Sequence, residues 1–298
     1  MKTAAFEEKE YEAPLYNQLA LGNPHVWSPG QVFENHLGFD HGLFVSNPRL
    51  WQLLGRAATV GVFLNRYNWD FIWRHRPHRA MPNFRLNLFL QAKRPNYYSR
   101  SPRHVRAAGI NGPCWSFTVD VNQQLALERV AARLRTRALV TYASPVFHRE
   151  SQLYAHTTLG TVIENSTFPE ATRLAGHSKW FYNTPGGNGV ANPEAEFSEG
   201  TPLFEMIEQL RKNQANEPAD VTGRRAYEEL SSLSKEIISS LDVKSGLVEN
   251  PRVAIFFEEI RIIDREVKQF EQIGEPVRVF LYVATFARVF NLEWFTIS

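Results

Sequence analysis

The tripeptide Gln91-Ala92-Lys93 is the sharpest chemical feature of the chain. It closes the stretch 84–92, FRLNLFLQA, where Phe84, Leu86, Leu88 and Leu90 alternate with other residues at the period of a β-strand. Alternate residues of a strand share a face, so Gln91 and Lys93 are expected to point into one site. A lysine beside a metal-bound water can polarise that water or stabilise a pentacovalent phosphate. Such a lysine needs an acid that holds a divalent cation against the scissile bond. Asp40, in Leu37-Gly38-Phe39-Asp40, is the candidate acid, and it follows a short expected helix that carries Glu34. Asp70, in Asn68-Trp69-Asp70, is its rival: closer to the strand in sequence, but set among aromatics. Against this stands a plainer reading, in which Gln91 and Lys93 face solvent at a strand end and Asp40 caps a turn.

The elements that must position these residues follow from the patterning. Residues 28–37 have Pro29 at a first helical turn and read as a cap and short helix ended by Gly38. A second short helix is expected at 49–58, a strand at 60–64 and a loop at 74–82. Beyond the Gln91-Ala92-Lys93 strand, 115–121 reads as another strand. Leu127, Val130, Ala131 and Leu134 give helical spacing over 123–134, with Asp120 as its cap. The wholly apolar stretch 138–142 reads as a strand buried inside a sheet. A helix is expected at 148–157, with short strands at 161–164 and 180–182. Strand–helix–strand alternation predicts an α/β layer architecture. Residues 1–13 are polar and acidic and read as a mobile arm, and 184–200 (TPGGNGVANPEAEFSEG) as a linker or long loop. Helices are then expected at 203–213, 223–241, 251–271 and 276–291. The resulting division is an N-terminal arm at 1–27, an α/β core at 28–183, the linker, and a helical region at 201–298. The apolar side chains of 277–295 read either as core or as a surface for a partner subunit.

Charge is concentrated. The chain carries 33 Lys+Arg against 31 Asp+Glu, yet 71–119 holds no acid and includes Arg74, Arg76, Arg79, Arg85, Lys93, Arg94, Arg100, Arg103 and Arg106. Phe71, Trp73, Phe84, Phe89, Tyr97, Tyr98 and Trp115 interleave with these bases. Bases attract phosphates and aromatics stack on nucleotides, so the block suits a nucleic acid. A solvated basic face, or a dock for an acidic partner, fits the same composition. With 43% apolar residues over 298 positions the chain is not intrinsically disordered. A single cysteine, Cys114, excludes an internal disulfide and a multi-cysteine zinc site. Residues 279–290 are the most apolar run, interrupted by Arg288 and short of the ~20 residues a membrane helix needs. No apolar signal core follows Met1, so a cytoplasmic protein with no membrane partner is expected.

Glu34, Gly38-Phe39-Asp40 and Leu88-Phe89-Leu90-Gln91-Ala92-Lys93 together resemble the PD-(D/E)xK nuclease superfamily, over roughly residues 28–182. The Gln-x-Lys form is similar to that of Mrr-type restriction enzymes and of anti-phage defence nucleases of the Cap and Lamassu type. The resemblance implies a restriction-endonuclease-like mixed sheet flanked by helices, with a C-terminal helical region outside it. It implies a DNA endonuclease dependent on Mg²⁺ or Mn²⁺. Asp40 would hold the metal with Glu34 and the carbonyl of Ala92, Gln91 would stand where a second acid is usual, and Lys93 would be the catalytic lysine. Arg74, Arg76, Arg79, Arg94, Arg100 and Arg103 would contact the nucleic-acid backbone. No ATPase or sensor motif is present, so other subunits of a defence complex would supply sensing, and a homo-oligomer is possible because cutting both strands commonly takes two sites. The alternative is a non-catalytic nucleic-acid-binding or scaffold subunit on a degenerate nuclease fold. The glycine-rich 184–189 lacks the Gly-Lys-Ser/Thr of a P-loop, and Ser144 and Ser178 lack a nucleophile elbow. His75 and His78 are crowded by bases and fit phosphate contact better than zinc; His36 and His41, either side of Asp40, read as surface residues.

Overall fold

The computed structural model describes residues 1–20, 86–186, 188–214, 224–241, 250–269 and 275–297. Their strands are β1 (Lys2–Thr3), β2 (Leu86–Ala92), β3 (Asn96–Tyr98), β4 (Cys114–Thr118), β5 (Ala138–Pro145), β6 (Ser166–Thr167), β7 (Lys179–Tyr182), β8 (Gly189–Asn192), β9 (Glu196–Ser198) and β10 (Glu293–Ile297). Their helices are α1 (Glu8–Ala20), α2 (Arg103–Ala107), α3 (Val121–Leu134), α4 (Glu150–Leu159), α5 (Leu203–Gln214), α6 (Arg224–Leu241), α7 (Pro251–Gln269) and α8 (Glu275–Val289). The architecture is α/β, as the alternation predicts. The segments expected at 28–37, 49–58, 60–64 and 74–82 lie outside the described residues.

Two sheets form. One is antiparallel, in the order β1-β3-β4-β7-β8-β9; the other is mixed, in the order β10-β2-β5-β6. In the mixed sheet β2 runs parallel to β5, with Gln91 opposite Tyr142, and antiparallel to β10, with Phe89 opposite Trp294. Every residue of β2 is buried. Leu86, Leu88, Leu90 and Ala92 pack with Tyr11, Leu15 and Leu19 of α1. Phe89, on the other face, packs with Leu127 and Val130 of α3 and Phe286 of α8. The alternation in 86–92 therefore does not divide a wet face from a dry one; it divides two cores. Asn87, in the second core, is satisfied: its side-chain oxygen accepts from Trp294 Nε1 (2.9 Å) and its amide donates to the Arg137 carbonyl (3.3 Å).

The N-terminal segment is ordered into the fold rather than being a mobile arm. β1 pairs with β3, Ala4 N donates to the Pro95 carbonyl and Ala5 N to that of His148. Tyr11 is fully buried, and its hydroxyl donates to Ser166 Oγ at 2.8 Å. α1 carries Pro14 inside it, a residue that normally breaks a helix and here hides one from pattern reading. The C-terminal helices share a core with the sheet, which settles the reading of 277–295 for these residues: Phe286, Phe290 and Trp294 are fully buried. Chain beyond α8 then turns back as β10, a strand inside what reads as a helical region.

Two local expectations change. The stretch 184–200 holds β8 and β9, and Gly189 is required there because an added Cβ would lie 2.3 Å from the Trp180 ring. Residues 161–164 form turns, not a strand, because the amides of Val162 and Ile163 donate to Gln18 Oε1 of α1 (2.8 and 3.1 Å) instead of to a sheet neighbour. Asp120 caps α3 as expected, accepting from Gln123 N at 2.9 Å.

Two measurements check this packing. Asn87→Ala leaves the Trp294 N–H and the Arg137 carbonyl unpaired in the core, and is expected to lower unfolding free energy by about 1–3 kcal/mol in a urea titration. His148 stacks face to face on Tyr97, with ring centroids 3.9 Å apart, and burial, Arg149 and Lys2 hold its pKa below the ordinary value of 6.5. The folded chain therefore binds this proton more weakly than the unfolded one, so stability is lost as pH falls below 6.5 and levels off beneath the folded pKa. Urea midpoints taken between about pH 5 and pH 8 are expected to show this slope in wild type and a shallower one in His148→Phe, which keeps the stacked ring.

Candidate functional site at the end of strand β2

Lys93 is the first residue past β2, and its backbone is clamped to β5 on both sides. Its amide donates to the Ala143 carbonyl (2.8 Å), and its carbonyl accepts from Ser144 Oγ (2.9 Å). Tyr182, fully buried on β7, donates its hydroxyl to Ser144 Oγ (2.7 Å), so the two sheets are tied together at the lysine. In the parallel register Gln91 lies beside Tyr142, which puts Lys93 next to Ser144 on the same face. Gln91 is only 1% exposed, and its side-chain oxygen has no hydrogen-bond partner. An unpaired acceptor in that setting is costly and suits an arriving donor or cation.

An acid comes to this strand end from a place the sequence reading leaves aside. Glu8 opens α1, and its Oε2 accepts from the amide of Arg94 at 3.4 Å. Burial raises the Glu8 pKa above its usual value, and the neighbouring Lys93 ammonium pulls it back down. Burial lowers the pKa of Lys93, against the upward pull of Glu8, Asp120 and Glu12 and with the downward push of Arg252. Glu12, one turn along α1 from Glu8, is 7% exposed and pairs with Lys9 at 2.8 Å. The Tyr16 phenol is pushed well above its usual range by burial and then by Glu12 and Glu293, with a smaller push from Glu8. Asp120 caps α3, and Arg252 lies in the first turn of α7, so the ends of three helices act on one lysine beyond the carboxyl ends of parallel strands. Open α/β sheets bind ligands at such ends.

Glu8 and Glu12 are the functional candidates that sequence reading misses. The signal was present as Glu8-x-x-x-Glu12 interleaved with Tyr11, Leu15 and Leu19, a charged face beside an apolar face at helical spacing, with Pro14 obscuring it. Arg94, expected at a phosphate, has its guanidinium on both Glu7 oxygens (2.8 and 2.9 Å) and on the Ala4 carbonyl (2.7 Å). It fastens the N-terminal segment to the end of β2. Arg100 and Arg103 are exposed at α2, whose Val105 is buried. Asp40, Glu34, Asp70, Arg74, Arg76 and Arg79 lie outside the described residues, as do His36, His41, His75 and His78. Among the described residues no three His, Cys, Asp or Glu side chains form a group able to hold a metal ion, and no helix is long and apolar enough to cross a membrane.

Ser144→Ala removes the hydroxyl shared by the Lys93 carbonyl and the Tyr182 phenol. A loss of about 1–3 kcal/mol is expected, read as a lowered urea midpoint with an unchanged slope. A loss near zero would mean that the tie carries no strain-bearing role at this strand end. No model of a known protein family, no curated protein and no solved structure matches the chain.

Proposed function

We propose that the chain is a metal-dependent DNA endonuclease on a restriction-endonuclease-like core, acting in the cytoplasm as the nuclease effector of an anti-phage defence complex whose other subunits supply sensing or ATPase activity. The observation that carries this reading is Lys93 at the end of β2, two positions past a buried Gln91 whose oxygen lacks a partner, with Glu8 accepting from the next backbone amide, that of Arg94, at 3.4 Å. Oxygen donors of this kind suit Mg²⁺ or Mn²⁺ better than softer metals. The described donors number fewer than such an ion takes, and Asp40 is assigned from the sequence as the further carboxylate. Glu34 is assigned as an auxiliary acid, and the Ala92 carbonyl as a backbone ligand. When bound, the ion would polarise a phosphoryl oxygen and acidify a water.

The chain's own residues then have distinct tasks. Lys93 is placed against the attacking water or the charge that develops on the phosphate. Gln91 orients by its carbonyl oxygen, taking a donor or the ion without adding charge. Arg100 and Arg103, with Arg74, Arg76 and Arg79, hold the backbone of the nucleic acid through contacts that carry little sequence information. Affinity is therefore expected to fall steeply with salt. Arg94 belongs to this set only when its ion pair with Glu7 opens.

A plasmid-cleavage assay with Mg²⁺ or Mn²⁺ tests the reading. Wild type is expected to cut. Lys93→Ala, Asp40→Ala and Glu8→Gln are expected to lose about 10²-fold or more in rate while retaining DNA at low salt. Cutting by Lys93→Ala at the wild-type rate would overturn the site. DNA retention with no cutting by wild type, alone or with candidate partner chains, would leave a nucleic-acid-binding subunit.

A further inference from the structure

The ammonium of Lys93 lies 5.7 Å from the centroid of the Tyr142 ring, within the ~6 Å over which an aromatic face attracts a cation. Among the described residues it forms no ion pair, although Glu8 and Glu12 draw on it. The ring is held at both ends. At one end β5 fixes the backbone: Tyr142 N donates to the Pro169 carbonyl at 3.0 Å, and the residue stands beside Gln91 in the parallel register. At the other end its hydroxyl donates to Gln124 Oε1 at 2.5 Å. Gln124 is 3% exposed, and its amide donates in turn to the Ala171 carbonyl (2.6 Å) and to Glu128 Oε1 (2.7 Å). Phe117 packs against the ring at 5.5 Å. What this arrangement adds is a rigid aromatic face aimed at a side chain with four rotatable bonds.

We infer that Tyr142 is a positioning residue for Lys93: its ring, clamped through Gln124, seats the ammonium. The catalytic consequence rests on the nuclease reading above; the seat itself does not. An unrestrained lysine has many rotamers, and confining it lowers the entropy lost in reaching the reacting geometry. Gln124 of α3 thereby acts through Tyr142 on Lys93, the residue just past β2.

The seat is tested on the full chain by NMR with ¹³C-lysine, at one pH and without DNA or metal. Lys93→Arg assigns the Lys93 signal. A seated lysine places its Hε protons in the shielding region above the ring, so the wild-type signal is expected upfield of the other lysines. Tyr142→Phe, which keeps the face, is expected to stay upfield; Tyr142→Leu is expected to move to the position of the other lysines. A wild-type Lys93 signal among the other lysines overturns the inference whatever the cleavage assay gives. So does an upfield signal that survives in a folded Tyr142→Leu. In cleavage, Tyr142→Leu is expected to lower kcat by about 10- to 100-fold with KM little changed, and Tyr142→Phe to fall between it and wild type. An unchanged kcat in Tyr142→Leu, with wild type cutting, overturns the positioning role. An upfield signal in a wild type that does not cut supports the seat and counts against the nuclease reading instead.

Discussion

Burial of strand β2 on both faces is the constraint that organises the rest of the molecule. A strand covered on one side can leave its polar residues in water; one covered on both must pair them or place them at its ends. Asn87 is paired, through Trp294 and the Arg137 carbonyl. Gln91 is not, and Lys93 stands just beyond the strand, where its charge can reach solvent. The two covering layers come from opposite ends of the chain. α1 supplies one, while α8 with α3 supplies the other, and β10 closes the open edge of β2. The N- and C-terminal segments are thus structural requirements of the Gln91-Ala92-Lys93 strand, not appendages to it.

That arrangement also explains why charge gathers at one point. The loops leaving the carboxyl ends of β2 and β5 emerge together because the strands are parallel. α1 crosses the same end with Glu8 leading, α3 begins there at Asp120, and α7 begins there at Arg252. Each is an exposed or half-buried terminus that carries a charged residue, and the field of each reaches Lys93. Burial works against the charged form of both Lys93 and Glu8, and each favours the charged form of the other. The charge state of each is therefore set by a balance of desolvation and attraction rather than by attraction alone.

The tie between sheets at Ser144 has a similar logic. Lys93 lies outside the regular ladder, where a backbone usually gains freedom. Its carbonyl is instead held by a side chain of β5, and that side chain by a tyrosine of the other sheet. A residue at the end of a strand gains the rigidity of its middle. With Tyr142 beneath the ammonium, the lysine has a fixed origin and a fixed floor.

The strand at 86–92, the cap at Asp120, the α3 helix, the buried strand at 138–142 and the C-terminal helices are all legible in the sequence, because each is a local pattern of apolar spacing or capping chemistry. The pairing of Gln91 and Lys93 on one face is legible for the same reason. Three features were not. Helix α1 carries a proline and acids where an arm would carry them, and only its packing against Leu86, Leu88 and Leu90 makes it a helix worth forming. β10 follows a helix without a turn signal strong enough to mark it, and is a strand because β2 has an open edge. The contacts of Lys93 come from positions 142, 143 and 144, and the charges that act on it from 8, 12, 120 and 252, separations across which no local pattern carries information. Periodicity alone specifies which residues face inward; what they meet there depends on loop paths and on the competition between cores, which only the assembled chain decides.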